Sequence, residues 1–117
     1  MRPDGTPHLV PVCFAVVGDA VVSAVDEKPK RSPELQRLAN IRANPAVTLL
    51  VDRYEEDWEA VWWARADGTA RVVAEGPERE AALTALRAKY DQYEVVQLSG
   101  AAVVIDVARW RGWAYAG

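Results

Sequence analysis

The chain reads as a mainly β, α+β domain in which antiparallel strands curl into a small barrel with two helices at its ends. Two observations lead there. Gly18-Asp19 and Asp67-Gly68 sit between runs of β-branched, aromatic and small apolar residues, the pattern of tight hairpins. Only two stretches, 33–44 and 77–89, combine helical spacing with recognisable ends. A doubly wound parallel sheet would need a helix between most strands, and the two hairpins exclude it.

Asp4-Gly5 is a turn signal, and Leu9 to Val17 is then almost continuously apolar, as a buried strand would be. Gly18-Asp19 turns the chain, and Ala20 to Val25 returns as its partner. Ser32 is a fair N-cap, and Pro33 fits the first helical position. Leu35, Leu38 and Ile41 give that helix one apolar stripe, and Asn44-Pro45 ends it. Val47 to Val51 reads as a third strand, followed by a charged loop over 52–57. Ala60 to Ala66 and Thr69 to Ala74 read as a second hairpin around Asp67-Gly68. Pro77 opens a helix to about Lys89 whose stripe is Ala82, Leu83 and Leu86. Ala101 to Val107 is the last strand, and Trp110 to Tyr115 is an aromatic tail.

With 117 residues the chain suits one domain. Its net charge of −3 argues against a general binder of nucleic acid or membrane surface, because both need a basic face. A single cysteine excludes an internal disulfide framework and fits a reducing cytoplasm. No apolar run approaches the roughly 20 residues a membrane-spanning helix needs. Five tryptophans against one phenylalanine point to an interface, a ligand site, or both.

The segment Lys28-Pro29-Lys30-Arg31-Ser32-Pro33 carries the sharpest chemical signal. Its cations are stiffened by prolines and run into a helix N-terminus, where unpaired amides and the helix dipole favour an anion. Cations at that place without an anion would oppose the dipole, so Lys28, Lys30 and Arg31 read as a grip for the phosphate tail of a flavin-like cofactor. Cys13 reads as a small buried hydrophobe, and the lone His8 as structural. Glu55, Glu56 and Asp57 read as a solvated loop, and one histidine with one cysteine makes no zinc site. Neither a Gly-rich phosphate cradle nor a Ser-His-Asp set can be assembled.

Several segments together resemble a known family: His8 to Val12, Asp26 to Lys30, and Leu38-Ala39-Asn40-Ile41-Arg42-Ala43-Asn44-Pro45. They are similar to the split β-barrel proteins related to pyridoxamine 5′-phosphate oxidase, the FMN-binding split-barrel fold. Within that superfamily, Leu50-Val51-Asp52, Asp57-Trp58, Trp62-Trp63, Arg65 to Ala70 and Arg109-Trp110-Arg111-Gly112-Trp113 resemble an actinobacterial branch that depends on the deazaflavin coenzyme F420. Relatives usually begin with a helix and a strand ahead of the segment matching Asp4-Gly5. The resemblance therefore implies a single domain over 1–117 that lacks them, with a barrel one strand short, or else a start codon placed late.

The resemblance also implies a homodimer with cofactor between protomers. Val10, Pro11, Val12 and Cys13, with Val22, Ser23, Ala24 and Val25, would then line the ring, and Lys28, Lys30 and Arg31 would meet the phosphate. Trp62 and Trp63 would flank the ring, one toward the barrel and one toward cofactor or partner. Trp110 and Trp113 would approach from the tail, where packing across a dimer competes with stacking on the ring. The implied activity is hydride transfer between F420 and a small unsaturated substrate, with the proton from water or a tyrosine such as Tyr54. The alternatives are an FMN-dependent oxidoreductase of the same type and a flavin-binding dimer without turnover.

Overall fold

The computed structural model describes residues 5–6, 9–24, 33–94, 98 and 100–116, with side chains of the first helix from Leu38 onward. In chain order the elements are β1 (Ala15–Val17), β2 (Ala20–Ala24), α1 (Pro33–Ala43), β3 (Ala46–Arg53), β4 (Trp62–Val73), α2 (Pro77–Lys89) and β5 (Ala102–Ala114). Short 3-10 turns at Trp58–Ala60 and Asp91–Glu94 complete the connections. The described strands form one antiparallel sheet of five in the order β1-β2-β5-β4-β3. The mainly antiparallel α+β architecture is thus as the sequence predicts.

Local chemistry explains the ends of these elements. Gly18 at φ 59° makes the β1–β2 turn, a conformation that costs a glycine little. Asn44 continues the helical ladder by donating to the Asn40 carbonyl at 2.8 Å, and its Oδ1 accepts from Ala46 N at 3.3 Å. Pro45 then leads straight into β3, its carbonyl accepting from Ala70 N at 2.8 Å. Helix α2 follows Gly76 at φ 101° and has Pro77 in its first turn. Glu78 and Glu80 begin it and Arg87 and Lys89 end it, so charge complements the dipole at both ends.

Each helix covers one face of the sheet. Ala82, Leu83 and Leu86 of α2 pack on Ala15, Val22, Ala24, Ala102 and Val104. On the opposite, inner face, Leu38 and Ile41 of α1 pack on Val21, Ala66, Ala70, Val103 and Ile105. Strand β5 is central, and Ala102 to Ile105 are buried on both faces, which accounts for their unbroken apolar run. Arg71 clamps α2 to the sheet. Its guanidinium donates to both oxygens of Glu78 at 2.8 Å and to Asp106 at 2.6 and 3.1 Å.

Three strand boundaries differ from expectation. Asp67-Gly68 is no turn: β4 runs unbroken through it, with Asp67 opposite Thr48 and Arg109, and Gly68 opposite Val47 and Val107. The register shift there is a bulge, leaving Ala108 without a partner in β4. Glycine is needed because a Cβ at 68 would run into the Asp106 carbonyl oxygen and lie 3.0 Å from the Asp106 carbonyl carbon and from Val107 Cα. Hence two predicted strands are one, and the β3–β4 connection lies instead at 54–61. Nor is Trp110 to Tyr115 a separate tail: β5 extends to Ala114, paired with β4 throughout. Finally, of the segment 9–17 only Ala15–Val17 pairs as strand.

Two outcomes test this frame. Gly68→Ala should lower the free energy of unfolding by about 2 kcal/mol, because neither neighbouring backbone group can move without breaking β4–β5 pairing. It would appear as a lower urea midpoint with an unchanged slope. The second concerns pH. Hydrogen bonding to Arg71 holds the Glu78 and Asp106 carboxyls below their usual values. The unfolded chain therefore takes up these protons first, so the clamp stabilises fully above pH ~5 and its effect is lost progressively as pH falls below that. Melting temperatures of the parent and Arg71→Met should differ at pH 7 and converge toward pH 3.

Candidate functional site

The inner face holds a cavity of about 610 Å³ between the sheet, α1 and residues 9–14. One wall is the segment 9–14, which is extended without belonging to the sheet. Val10, Val12 and Phe14 are partly buried and line the cavity, whereas Pro11 and Cys13 alternate outward and are exposed. Cys13 is therefore a solvent-facing thiol and not the buried hydrophobe expected. The same alternation that turns its neighbours inward turns it out.

Phe14 anchors this wall. The Tyr90 hydroxyl accepts from Phe14 N at 3.2 Å and donates to Phe14 O at 3.1 Å. Lys89 Nζ donates to the same carbonyl at 2.7 Å and sits 3.7 Å from the centre of the Phe14 ring. The end of α2 thus fixes the segment that borders the cavity.

Val21 and Ser23 of β2, Val103 and Ile105 of β5, and Ala70 of β4 form the floor, with Val47 and Leu49 of β3 beside them. Asn40 and Ile41 contribute from α1. Most of this lining is apolar. Ser23 and Asn40 are the buried polar side chains, at 6% and 3% exposure. Thr48 and Asp67 add a polar margin, with Thr48 Oγ1 donating to the Asp67 carboxylate at 2.9 Å and Arg65 Nε lying 3.2 Å from it. Such a volume falls in the range of about 300–1,000 Å³ occupied by small molecules and cofactors. An apolar cavity with a few polar groups at its lining suits a largely apolar small molecule held by a few hydrogen bonds.

The residues singled out in the sequence divide among several places. Val10, Val12 and Ser23 line the cavity. Val22 and Ala24 face the other way, into the core beneath α2. Val25, Lys28, Lys30 and Arg31 lie outside the described residues. Trp62, Trp63, Trp110 and Trp113 all sit on the arm formed by the far halves of β3, β4 and β5, away from the cavity lining. Trp62 and Trp110 share the inner face at 38% and 52% exposure, and Trp63 stands opposite Trp113 on the outer face. Tyr54 is 78% exposed and does not border the cavity.

Sequence reasoning missed Phe14, Asn40, Thr48 and Asp67. Asn40 carried a usable signal, since it lies within the apolar stripe of α1 that faces the sheet. Asp67 was hidden by its reading as a turn residue.

Comparison with known proteins fits this geometry. The solved structure of a conserved hypothetical protein from Mycobacterium tuberculosis superimposes with a TM-score of 0.74 at 21% identity, over 97% of this chain and 72% of that one. A FAD-binding protein from Mesorhizobium loti gives 0.66 at 22% identity, over 93% and 78%. A heme-binding protein from Mycobacterium smegmatis gives 0.67 at 22% identity, over 91% of this chain and 43% of the other. At such identities the likeness establishes the fold. No curated protein matches the chain significantly in sequence. The family described as pyridoxamine 5′-phosphate oxidase matches residues 1–114, nearly the whole length. The chain belongs to the pyridoxamine 5′-phosphate oxidase family.

Proposed function

We propose that the chain is a flavin-class oxidoreductase that holds its cofactor ring in the inner cavity and passes hydride to or from a small unsaturated substrate. The observation that carries this reading is the mainly apolar cavity of about 610 Å³ in a chain of this family. Val10, Val12, Phe14 and Ile105 would contact the ring faces, and Ser23 and Asn40 would offer polar groups to its edge. Lys28, Lys30 and Arg31 would neutralise the phosphate, on the sequence argument above. When bound, the cofactor supplies the hydride chemistry. The chain's own part is to orient the ring, exclude water with its apolar walls and hold charge at the tail.

The branch resemblance favours F420 as the cofactor. FMN or FAD is the second reading, favoured by the FAD-binding protein of Mesorhizobium loti with the same fold. A carrier without turnover is the third, favoured by the heme-binding protein of Mycobacterium smegmatis. We further propose a homodimer. The inner face of the arm, with Trp62 and Trp110 exposed and Val51 and Ala64 between them, offers an apolar surface for a second copy.

The test is titration of the purified chain with F420, FMN and FAD, read by polarisation of the ligand's own fluorescence. Binding of one of them at micromolar concentration is expected, and no binding of any up to about 100 µM overturns the proposal. F420 carries a long anionic tail, so its affinity should fall more steeply with salt than that of FMN. Turnover is separated from carriage by whether reduced cofactor is reoxidised when an acceptor is added. The double variant Lys28→Glu, Lys30→Glu should lose uptake while keeping its melting temperature; retained uptake would put the tail elsewhere. Tyr90→Phe removes the hydroxyl that both accepts from and donates to Phe14. It should weaken uptake by about tenfold and raise amide exchange over 9–14, because the cavity wall loses its anchor.

A further inference from the structure

Beyond the bulge, the outer face of the arm carries side chains that the cavity does not use. Two cross-strand rows follow one another there, beyond the cavity-margin pair Thr48 and Asp67 that stands opposite Arg109: Leu50, Arg65 and Arg111; then Asp52, Trp63 and Trp113. Tyr115 extends the last row, its ring 6.2 Å from that of Trp113 and 6.3 Å from that of Trp58, both edge to face. Among the described residues no helix covers this face, and Leu50, Trp113, Tyr115 and Trp58 are all close to half exposed or more.

The charge arrangement on this surface is unfavourable as it stands. Arg65 and Arg111 are direct cross-strand partners, and like charges at that spacing destabilise a sheet. Asp67 relieves only one of them, lying 3.2 Å from Arg65 while it accepts from Thr48. No ion pair joins Arg109 or Arg111 to another described residue. On a chain of net charge −3, adjacent arginines beside adjacent indoles form a surface with two complementary halves. Guanidinium groups fork onto a phosphate or carboxylate, and the neighbouring indoles offer flat apolar area to a ring.

We infer that this outer face binds a planar aromatic anion, an aryl phosphate or aryl carboxylate, with Arg65 and Arg111 on the anionic group and Trp63 and Trp113 against the ring. This site is separate from the inner cavity and does not depend on a cofactor there. Two macromolecular occupants fit the charges less well. A second copy docked by two-fold symmetry would bring the arginine row toward its own equivalent. A nucleic-acid strand would run its phosphates past Asp52 and Asp67 as well as past the arginines.

Calorimetric titration of the full chain with 2-naphthyl phosphate, 2-naphthol and inorganic phosphate tests the assignment. The aryl phosphate should bind about tenfold or more tightly than either fragment, since only it engages both halves. Arg111→Gln and Trp113→Leu should each weaken it by about tenfold, with melting temperatures near that of the parent. Arg111→Lys should restore part of the loss, because charge returns without the fork. Val12→Trp, which fills the inner cavity, should leave the affinity unchanged. Any one of four results overturns the inference: equal affinity for 2-naphthol, no effect of Arg111→Gln, loss of binding in Val12→Trp, or tighter binding of a short oligothymidylate. So does a shift of the chain from dimer to monomer in the Arg65→Gln, Arg111→Gln pair with the probe's affinity intact, since the face would then be occupied by a second copy.

Discussion

The pairing of β4 with β5 is the constraint on which the molecule depends. It runs from Trp62–Ala114 at one end to Val73–Ala102 at the other, with a single interruption at Asp67-Gly68. On one side of that interruption the pair is a core ladder, sandwiched between α1 and α2. On the other side it is an arm with exposed tryptophans and arginines. The bulge is what allows one pair of strands to serve both purposes. Strands without it would keep one twist and one curvature along their length, whereas an extra residue bends the bulged strand and increases its local twist. Gly68 makes this possible sterically, since the backbone of β5 comes too close there for any side chain.

Parity along the same strands separates the two candidate binding surfaces. Inward residues of the core half, such as Ala70 and Ile105, floor the cavity, while Arg71 and Asp106 point toward α2 and lock it down. Past the bulge, Ala66 and Trp110 remain on the cavity face, and Arg65 and Arg111 lie on the other. A one-residue slip in register would exchange these sets, burying arginines under α1 and exposing the alanine floor. The Arg71 clamp opposes such a slip directly, because it bonds β4 to Asp106 of β5. Tyr90 does a different job, tying the cavity wall at Phe14 to the end of α2.

Much of this was legible because it is local. Gly18-Asp19, the Asn44-Pro45 exit and the Pro77 start each work through the conformational preference of the residues themselves, and each lies where expected. Asp67-Gly68 carries the same local signal yet adopts extended structure. Two flanking strands, β3 and β5, pair with it on both sides, and their combined hydrogen bonds outweigh the turn preference of two residues. The aromatic stretch 110–115 looks like a tail in the sequence for a related reason. Its burial is low, so the apolar alternation that marks a strand is absent, and only the partner strand reveals it. The cavity wall at 9–14 was readable as apolar but not as unpaired. What holds it is a contact with Tyr90, far away in sequence, and a single chain offers no pattern from which to infer that pairing.

These two kinds of error have a functional reading. Where local preference and final structure agree, the residues shape ends of elements, and substitution there affects stability. Where they disagree, at Asp67-Gly68, along 110–115 and along 9–14, the chain adopts a conformation that the local pattern does not announce, and long-range contacts enforce it. All three lie against the candidate surfaces: Asp67 and Gly68 line the cavity, 9–14 walls it, and 110–115 carries the arm's indoles and guanidiniums. Binding surfaces need exposed rings, adjacent like charges and apolar segments left outside the sheet, and none of these stabilises a fold by itself. A domain of 117 residues can carry them because β4–β5 pairing and the two helices stabilise the rest. The concentration of structure enforced by long-range contacts on both faces of one strand pair is therefore what a protein built to hold ligands against that pair would have.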